Sequence, residues 1–69
     1  MKEYEVTVYI PGGGVYFRTT WMEGLVKAEG IAAELSGVYG SEAVELVERT
    51  MTRVGTTFRT IRHAEVWKA

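Results

Sequence analysis

Four residue types are absent from the chain: cysteine, aspartate, asparagine and glutamine. Without cysteine it forms no disulfide and no thiolate metal site, which fits a reducing compartment. With His63 as the only imidazole and no aspartate, one chain cannot assemble a Ser-His-Asp triad or a multi-histidine metal site. All nine acidic residues are glutamates, so only glutamate-based acid/base chemistry stays open. We therefore expect no metal, no cofactor and no enzymatic activity.

Long apolar runs are also missing. No segment approaches the roughly 20 apolar residues of a membrane-spanning helix, and residues 1–10 alternate in polarity, unlike a signal peptide. We expect a cytoplasmic protein without membrane contact. A length of 69 residues, with 46% hydrophobic and 25% charged residues, is typical of one small folded domain covering residues 1–69. Because so small a domain buries little core, self-association is a natural route to stability.

The net charge of −1 conceals an uneven distribution. Residues 1–48 hold three cationic residues and eight glutamates, whereas residues 49–69 hold five cationic residues and one glutamate. Such asymmetry is typical of chains with an anion-binding face, although the two halves can equally pair with each other across the fold. The candidate polyanion-binding residues are Arg49, Arg53, Arg59, Arg62 and Lys68.

Two alternating segments flank three consecutive glycines. Apolar residues recur at every second position from Glu3 to Ile10, and a similar alternation runs from Val15 to Trp21. Both have the period of a half-buried strand. The sequence PGGG at residues 11–14 leads into strand-forming residues, whereas a phosphate-binding loop leads into a helix. We therefore predict a hairpin connection and no phosphate site.

The residues from Met22 to Ser36 predict a helix, with Gly37 at its C-terminal end. Its main apolar stripe consists of Leu25, Ala28, Ile31, Ala32 and Leu35, and a second stripe beside it consists of Met22, Val26 and Ala33.

The segment from Ser41 to Val54 permits two interpretations. As a helix it begins at the N-cap Ser41, stops before Gly55 and gathers its apolar residues on one side, and this is the principal prediction. The alternative is a strand, because Thr50 and Thr52 favour extended structure and residues 54–57 resemble a turn.

The residues from Thr57 to Trp67 predict the last strand, with apolar residues on both faces and a bulge between Phe58 and Ile61 that switches its register. The expected fold class is α+β: a small two-layer domain in which two helices cover one face of a three-stranded antiparallel sheet, in the order ββααβ. If residues 41–54 form a strand, the order becomes ββαββ and a single helix covers the sheet.

A sheet covered on one face leaves its other face free for a partner. Aromatic residues and arginine are enriched at the centres of protein interfaces. We therefore predict a non-catalytic binding module that uses this face for a protein partner or a second copy of itself. The competing interpretation is that the aromatic side chains only pack in cross-strand pairs. The predicted binding surface comprises Tyr9, Tyr16, Arg18, Arg59, Ile61, His63 and Trp67.

The sequence also permits two other functions. Bases of a single-stranded nucleic acid can stack on sheet aromatics while basic residues meet phosphates, but a pI near 5.8 and the lack of Asn and Gln oppose this. A small acid/base enzyme assembled in a dimer would use Glu29, His63 and Glu65. So small a domain offers little room for the water-excluding pocket that such an enzyme requires.

No family-specific motif is present. In format alone, a short single domain without cysteine is similar to the small accessory proteins that phages and mobile elements encode, many of which act by binding another protein. This resemblance implies a binding role and assigns no residue to it.

Overall fold

Alternation in the first ten residues produces a strand at the centre of the sheet. In the computed structural model, which describes residues 1–63 and the side chains up to residue 61, strand β1 spans Lys2–Tyr9. Tyr4, Val6 and Val8 are buried on one side of it, while Glu3 and Glu5 lie partly exposed on the other. The period-2 pattern therefore sorts apolar from charged side chains as expected.

The glycine-rich segment is a hairpin connection, as predicted. It joins β1 to strand β2, Val15–Arg18, through hydrogen bonds from the Gly13 amide to the Ile10 carbonyl (3.1 Å) and from the Ile10 amide to the Gly14 carbonyl (2.7 Å). Gly12 and Gly13 have φ angles of 99° and 103°, which side chains disfavour. The turn therefore requires glycine for its backbone shape.

The helix is shifted toward the C-terminus relative to its predicted position. Helix α1 spans Leu25–Tyr39, since Met22 is held in the sheet by paired backbone hydrogen bonds to Tyr4 of 2.7 and 2.8 Å. Gly37, predicted to end the helix, lies inside it. The helix ends at Gly40, whose amide donates to the Ser36 carbonyl at 2.9 Å.

Four of the five residues of the main apolar stripe of α1 face the sheet as predicted, and the fifth, Leu25 in the first turn, is 37% exposed. Ala28 and Ala32 are fully buried, and Ile31 and Leu35 pack at their sides. Small residues at this contact let the helix approach the sheet closely. The second predicted stripe does not pack as a whole, because Val26 is 83% exposed.

The principal prediction for residues 41–54 is wrong. A short 3₁₀ turn at Ser41–Ala43 leads into strand β3, Val44–Thr52, and Gly55 begins strand β4, Gly55–His63, instead of ending a helix. Val44 and Leu46 are buried beneath α1 while Glu45 between them faces away, so period 2 and not 3.6 governs this segment. The predicted helical stripe arose because the β-branched residues of the strand also fall on one side of a helical wheel.

One antiparallel sheet of four strands results, in the order β2-β1-β3-β4, with α1 on one face. The α+β class is confirmed, the order ββααβ is wrong, and the alternative ββαββ describes the chain. The pairing of β3 with β4 shifts register opposite Ile61, where the sequence predicted a bulge. Residues 64–67 of the predicted last strand lie outside the described residues.

In the part of the chain that the structure describes, no helix has both the length and the apolar character needed to cross a membrane.

Two glycines inside α1 give a stability prediction. A Cβ added at Gly30 or Gly37 meets no atom within 4 Å, and neither residue has a positive φ. Replacing either with alanine should raise the free energy of unfolding by about 0.4 to 1 kcal/mol, because alanine loses less chain entropy in a helix. Urea denaturation at one fixed protein concentration measures the change. Gly40→Ala is the control and should lower stability, because its φ of 94° strains any side chain.

Candidate interaction surface

The face of the sheet opposite α1 carries a mixed set of charged and aromatic side chains. The strand register places Glu3 beside Arg49, and Arg49 beside Phe58, so that residues from β1, β3 and β4 form rows across this face. We call it the uncovered face. Its members are Glu3, Glu5, Thr7, Tyr9, Arg18, Trp21, Glu45, Val47, Arg49, Phe58 and Thr60.

Trp21 is the centre of one group on this face. The chain leaves β2 and returns to the sheet at Met22, which brings the Trp21 ring to 4.1 Å from Cζ of Arg49 and 6.1 Å from the Phe58 ring. Arg49 Nε also donates a 2.9 Å hydrogen bond to Glu3 Oε1, and its Nη2 donates to the same oxygen. The guanidinium is thus fixed between a carboxylate and an aromatic face, a cation–π arrangement. Phe58 remains 64% exposed at the outer side of the group.

A second group lies toward β2 and the start of β3. The Tyr9 hydroxyl donates a 2.8 Å hydrogen bond to Glu45 Oε1, and Arg18 Nε lies 3.6 Å from Glu5 Oε1. Both contacts cross between strands, so they fix long side chains that would otherwise rotate freely. The hydrogen bond to Glu45 is the main reason that the pKa of Tyr9 is raised above its usual value, with burial contributing next.

Between the two groups the face forms a shallow depression of about 440 Å³. Its floor includes Thr7 and Val47, and its walls include Trp21, Phe58 and Tyr9. Aromatic side chains and charged groups of both signs therefore line the depression together. Aromatic residues and arginine are both enriched at protein interfaces.

Of the seven residues predicted to form the binding surface, the structure places Tyr9 and Arg18 on the uncovered face. Tyr16 packs elsewhere, with its ring 5.4 Å from Phe17 and 5.7 Å from Tyr39, because the irregular pairing of β1 with β2 after Val8 redirects it.

The remaining predicted surface residues differ in their positions. Arg59 lies on the side of the sheet that α1 covers, where it pairs with Glu48 at 3.1 Å, and Ile61 packs against the core cluster. Arg59 and Ile61 share one face, as alternation predicts, but the pairing of Arg59 with the buried Glu48 puts that face on the side of α1, so the prediction assigned the wrong face of β4 to the surface. His63 is the last residue of β4, and Trp67 lies outside the described residues.

Sequence reasoning missed Trp21, Arg49 and Phe58 as members of the surface. Alternation places Trp21 on the face opposite Tyr16 and Arg18, but the chain departs from regular pairing between Thr19 and Met22. Arg49 was assigned to a helix. Phe58 is missed because the strand alternative, with its turn at residues 54–57, pairs it with Arg53, whereas the observed turn at Arg53-Val54 pairs it with Arg49.

The candidate polyanion-binding residues do not form one patch among the described side chains. Arg49 is bound to Glu3 on the uncovered face, while Arg59 is bound to the buried carboxylate of Glu48 on the other face. Arg53 lies exposed in the turn between β3 and β4. The side chain of Arg62 and all of Lys68 fall outside the described part. Pairing across the fold, the alternative raised by the charge distribution, thus accounts for two of these arginines.

The residues of the enzyme alternative lie on two elements and in part outside the described residues. Glu29 is half-buried in α1, His63 ends β4, and Glu65 lies beyond the described residues. Within residues 1–63, no group of three or more histidine or acidic side chains is arranged to hold a metal ion.

A larger cleft of about 910 Å³ opens at the end of the sheet near the glycine turn. Tyr9, Tyr16 and Tyr39 line it, and among the described lining residues Glu42 alone is charged. The glycine turn forms one side of the cleft, and the residues that follow α1 form the other. Its lining is mostly apolar, so it adds apolar surface next to the Tyr9 end of the uncovered face.

Comparison of the chain with known protein families, with characterised proteins and with solved structures finds no significant match.

Proposed function

We propose that this protein is a non-catalytic binding module that docks a protein partner on its uncovered face. One observation carries the proposal: the Trp21 ring, the Arg49 guanidinium and the exposed Phe58 ring lie in contact on a face that no other part of residues 1–63 covers. Tryptophan and arginine are enriched among the residues that carry most of the binding energy at protein interfaces, and the rigid tryptophan ring buries a large area with few rotating bonds.

The fixed side chains support a specific partner. Arg49 is held by Glu3 and Trp21, and Arg18 lies beside Glu5, so part of the side-chain entropy that binding costs is already lost in the free protein. Preorganised surfaces of this kind bind more tightly for the same buried area.

The charges of the face favour a protein over a nucleic acid. Three carboxylates, those of Glu3, Glu5 and Glu45, surround the guanidinium groups of Arg18 and Arg49. Carboxylates repel phosphates, whereas a protein partner can present cations to them. This arrangement of charges therefore disfavours a nucleic-acid partner.

Charge reversal on the face provides the test. Arg18→Glu adds a fourth carboxylate to the face, whereas Lys27→Glu makes the same change on the exposed side of α1. With a partner purified from the source cells, we expect Arg18→Glu to weaken binding about tenfold or more, equivalent to about 1.4 kcal/mol, and Lys27→Glu to change it by less than about twofold. Isothermal titration calorimetry measures both affinities.

Equal affinities for Arg18→Glu and the wild type would contradict the proposal. A titration with a random single-stranded oligonucleotide, followed by amide NMR, covers the nucleic-acid alternative. Shifts at Tyr9, Trp21 and Phe58 that persist at high salt would overturn the proposal in favour of base stacking on this face.

A further inference from the structure

The outer edge of β4 is a long, regular and exposed strand edge. The six residues Gly55–Thr60 pair without interruption with residues 47–52 of β3, and every one of them is exposed. Among residues 1–63, no strand pairs with the other side of β4. Its outward backbone groups are therefore open to a further strand.

The opposite edge of the sheet is protected. Strand β2 has four residues, and its pairing with β1 is interrupted by a register shift after Val8. Short length and irregular pairing are devices that prevent edge-to-edge association. The run 55–60 of β4 has neither device, and it contains no proline and no lysine. Within residues 1–63, the sheet is thus blocked for extension at one edge and open at the other.

The turn between β3 and β4 fixes which backbone groups of β4 point outward. Thr52 pairs with Gly55 across the two-residue turn Arg53-Val54, and a pair this close to the turn must exchange both backbone hydrogen bonds. Along β4, residues that bond to β3 then alternate with residues whose backbone groups point away from β3. The residues whose N–H and C=O groups point away from β3 are Thr56, Phe58 and Thr60.

We propose that this edge pairs antiparallel with the same edge of a second copy of the chain, about a two-fold axis at Phe58. In this register Phe58 faces the second copy's Phe58, and Thr56 faces the second copy's Thr60. Every outward N–H and C=O of the three residues then finds a partner, since each is matched with a residue that also points outward. A register centred one residue earlier, at Thr57, satisfies fewer of these groups.

Side-chain charge also favours a second copy. Arg59 is the single charged residue of the run, and Glu48 already neutralises it at 3.1 Å. The Phe58 register places Arg59 opposite a threonine, whereas a register centred on Arg59 would place two guanidinium groups opposite each other and repel. A charged extended peptide finds no unpaired charge here to recognise. The aromatic and threonine pairs, by contrast, match the cross-strand pairs that stabilise sheets.

Such a dimer extends the surface described above. A two-fold axis perpendicular to the sheet keeps both uncovered faces on the same side and brings the two Trp21–Phe58 groups together at the seam. The continuous sheet then ends at both sides in the protected strand β2. The inference rests on the edge of β4, and it does not depend on what binds the uncovered face.

Charged substitutions at residue 58 test the proposed contact between the β4 edges of two chains. We expect the wild type to show twice its chain mass of 7.7 kDa by light scattering at high concentration. Phe58→Glu and Phe58→Lys should each be monomers, because like charges then meet at the axis, and an equimolar mixture should recover the dimer mass. Since Phe58 is 64% exposed, both variants should keep the wild-type far-ultraviolet circular dichroism.

Thr56→Pro is the matched backbone variant. It removes an outward N–H while leaving the inward ladder to β3 intact, and we expect at least a tenfold loss of self-association. Arg18→Glu changes the uncovered face and not the edge of β4, so it should leave the mass unchanged. Loss of self-association and loss of partner binding are thus produced by different variants. A wild type that stays monomeric at every concentration would overturn the inference, and so would a dimer that survives Phe58→Glu.

Discussion

Replacing Leu46 with alanine should lower the free energy of unfolding by about 2 to 5 kcal/mol. Leu46 is fully buried, and it is among the largest side chains of which no part reaches solvent. The change removes apolar area from the centre of the core and leaves a cavity between the sheet and α1. Because domains of this size have little stability in reserve, part of the variant population should be unfolded at 37 °C.

Urea denaturation followed by circular dichroism measures this loss. The protein concentration must be the same for every variant, since self-association would add a concentration-dependent contribution to stability. Val26→Ala is the control, because Val26 is 83% exposed on α1 and its truncation should change stability by less than about 0.5 kcal/mol. Equal losses for Leu46→Ala and Val26→Ala would contradict the packing of β3 beneath the helix.

The second large effect should appear at alkaline pH. Burial, followed by the negative charge of Glu48 and hydrogen bonding with it, raises the pKa of Tyr4 above its usual value of 10.0. The folded state therefore keeps the Tyr4 proton at a pH where the unfolded chain has released it. The free energy of unfolding should then fall as the pH rises from 10 toward the pKa of the folded state, by at most about 1.4 kcal/mol per pH unit for one proton.

Tyr4→Phe isolates the contribution of this one group. The variant has no proton to lose at this position, so its stability should fall less steeply above pH 10 than that of the wild type. Below pH 9 the two profiles should run parallel, because Tyr4 is then protonated in both states. Urea denaturation at intervals from pH 8 to pH 11 gives both curves. Parallel curves across the whole range would show that Tyr4 does not resist ionisation in the folded protein.

The buried carboxylate of Glu48 is paired with two cationic side chains that reach the protein surface. It is 6% exposed, and it is held by Arg59 at 3.1 Å and by Lys2 at 3.8 Å, both of which reach solvent. A buried charge requires such partners, because an unpaired carboxylate in the interior is costly. Arg59, which the sequence predicted to lie on the binding surface, thus pairs with a buried carboxylate on the side of α1.

The two proposals assign different roles to the face and to the edge of one sheet. The face presents Trp21, Arg49 and the depression near Val47 to a protein partner, and the edge of β4 joins two chains. Phe58 belongs to both, since it touches Trp21 and lies on the proposed two-fold axis. Self-association would therefore double the area that one partner can contact, with the gain in affinity that bivalent binding brings.

The sequence by itself determined the features that depend on near neighbours along the chain. Alternation at Tyr4, Val6 and Val8 identifies β1. The run of glycines identifies the turn at residues 11–14, where Gly12 and Gly13 have positive φ angles. The stripe at Ala28 and Ala32 identifies the buried side of α1. These signals are local because side-chain direction follows backbone period.

Tertiary structure decided the rest. Val44 and Leu46 fit a helical stripe as well as a strand, and their pairing with Val8 and Val6 of β1 selects the strand. The members of the surface also depend on strand pairing, which is irregular between β1 and β2 after Val8 and which sets the orientation of β4 through its pairs with β3. The irregular pairing turns Tyr16 away from the surface, and the pairing of Arg59 with the buried Glu48 puts Arg59 and Ile61 on the side of α1. Composition indicated a face rich in aromatic residues and arginine. Contacts between residues distant in sequence determine that Trp21, Arg49 and Phe58 form it.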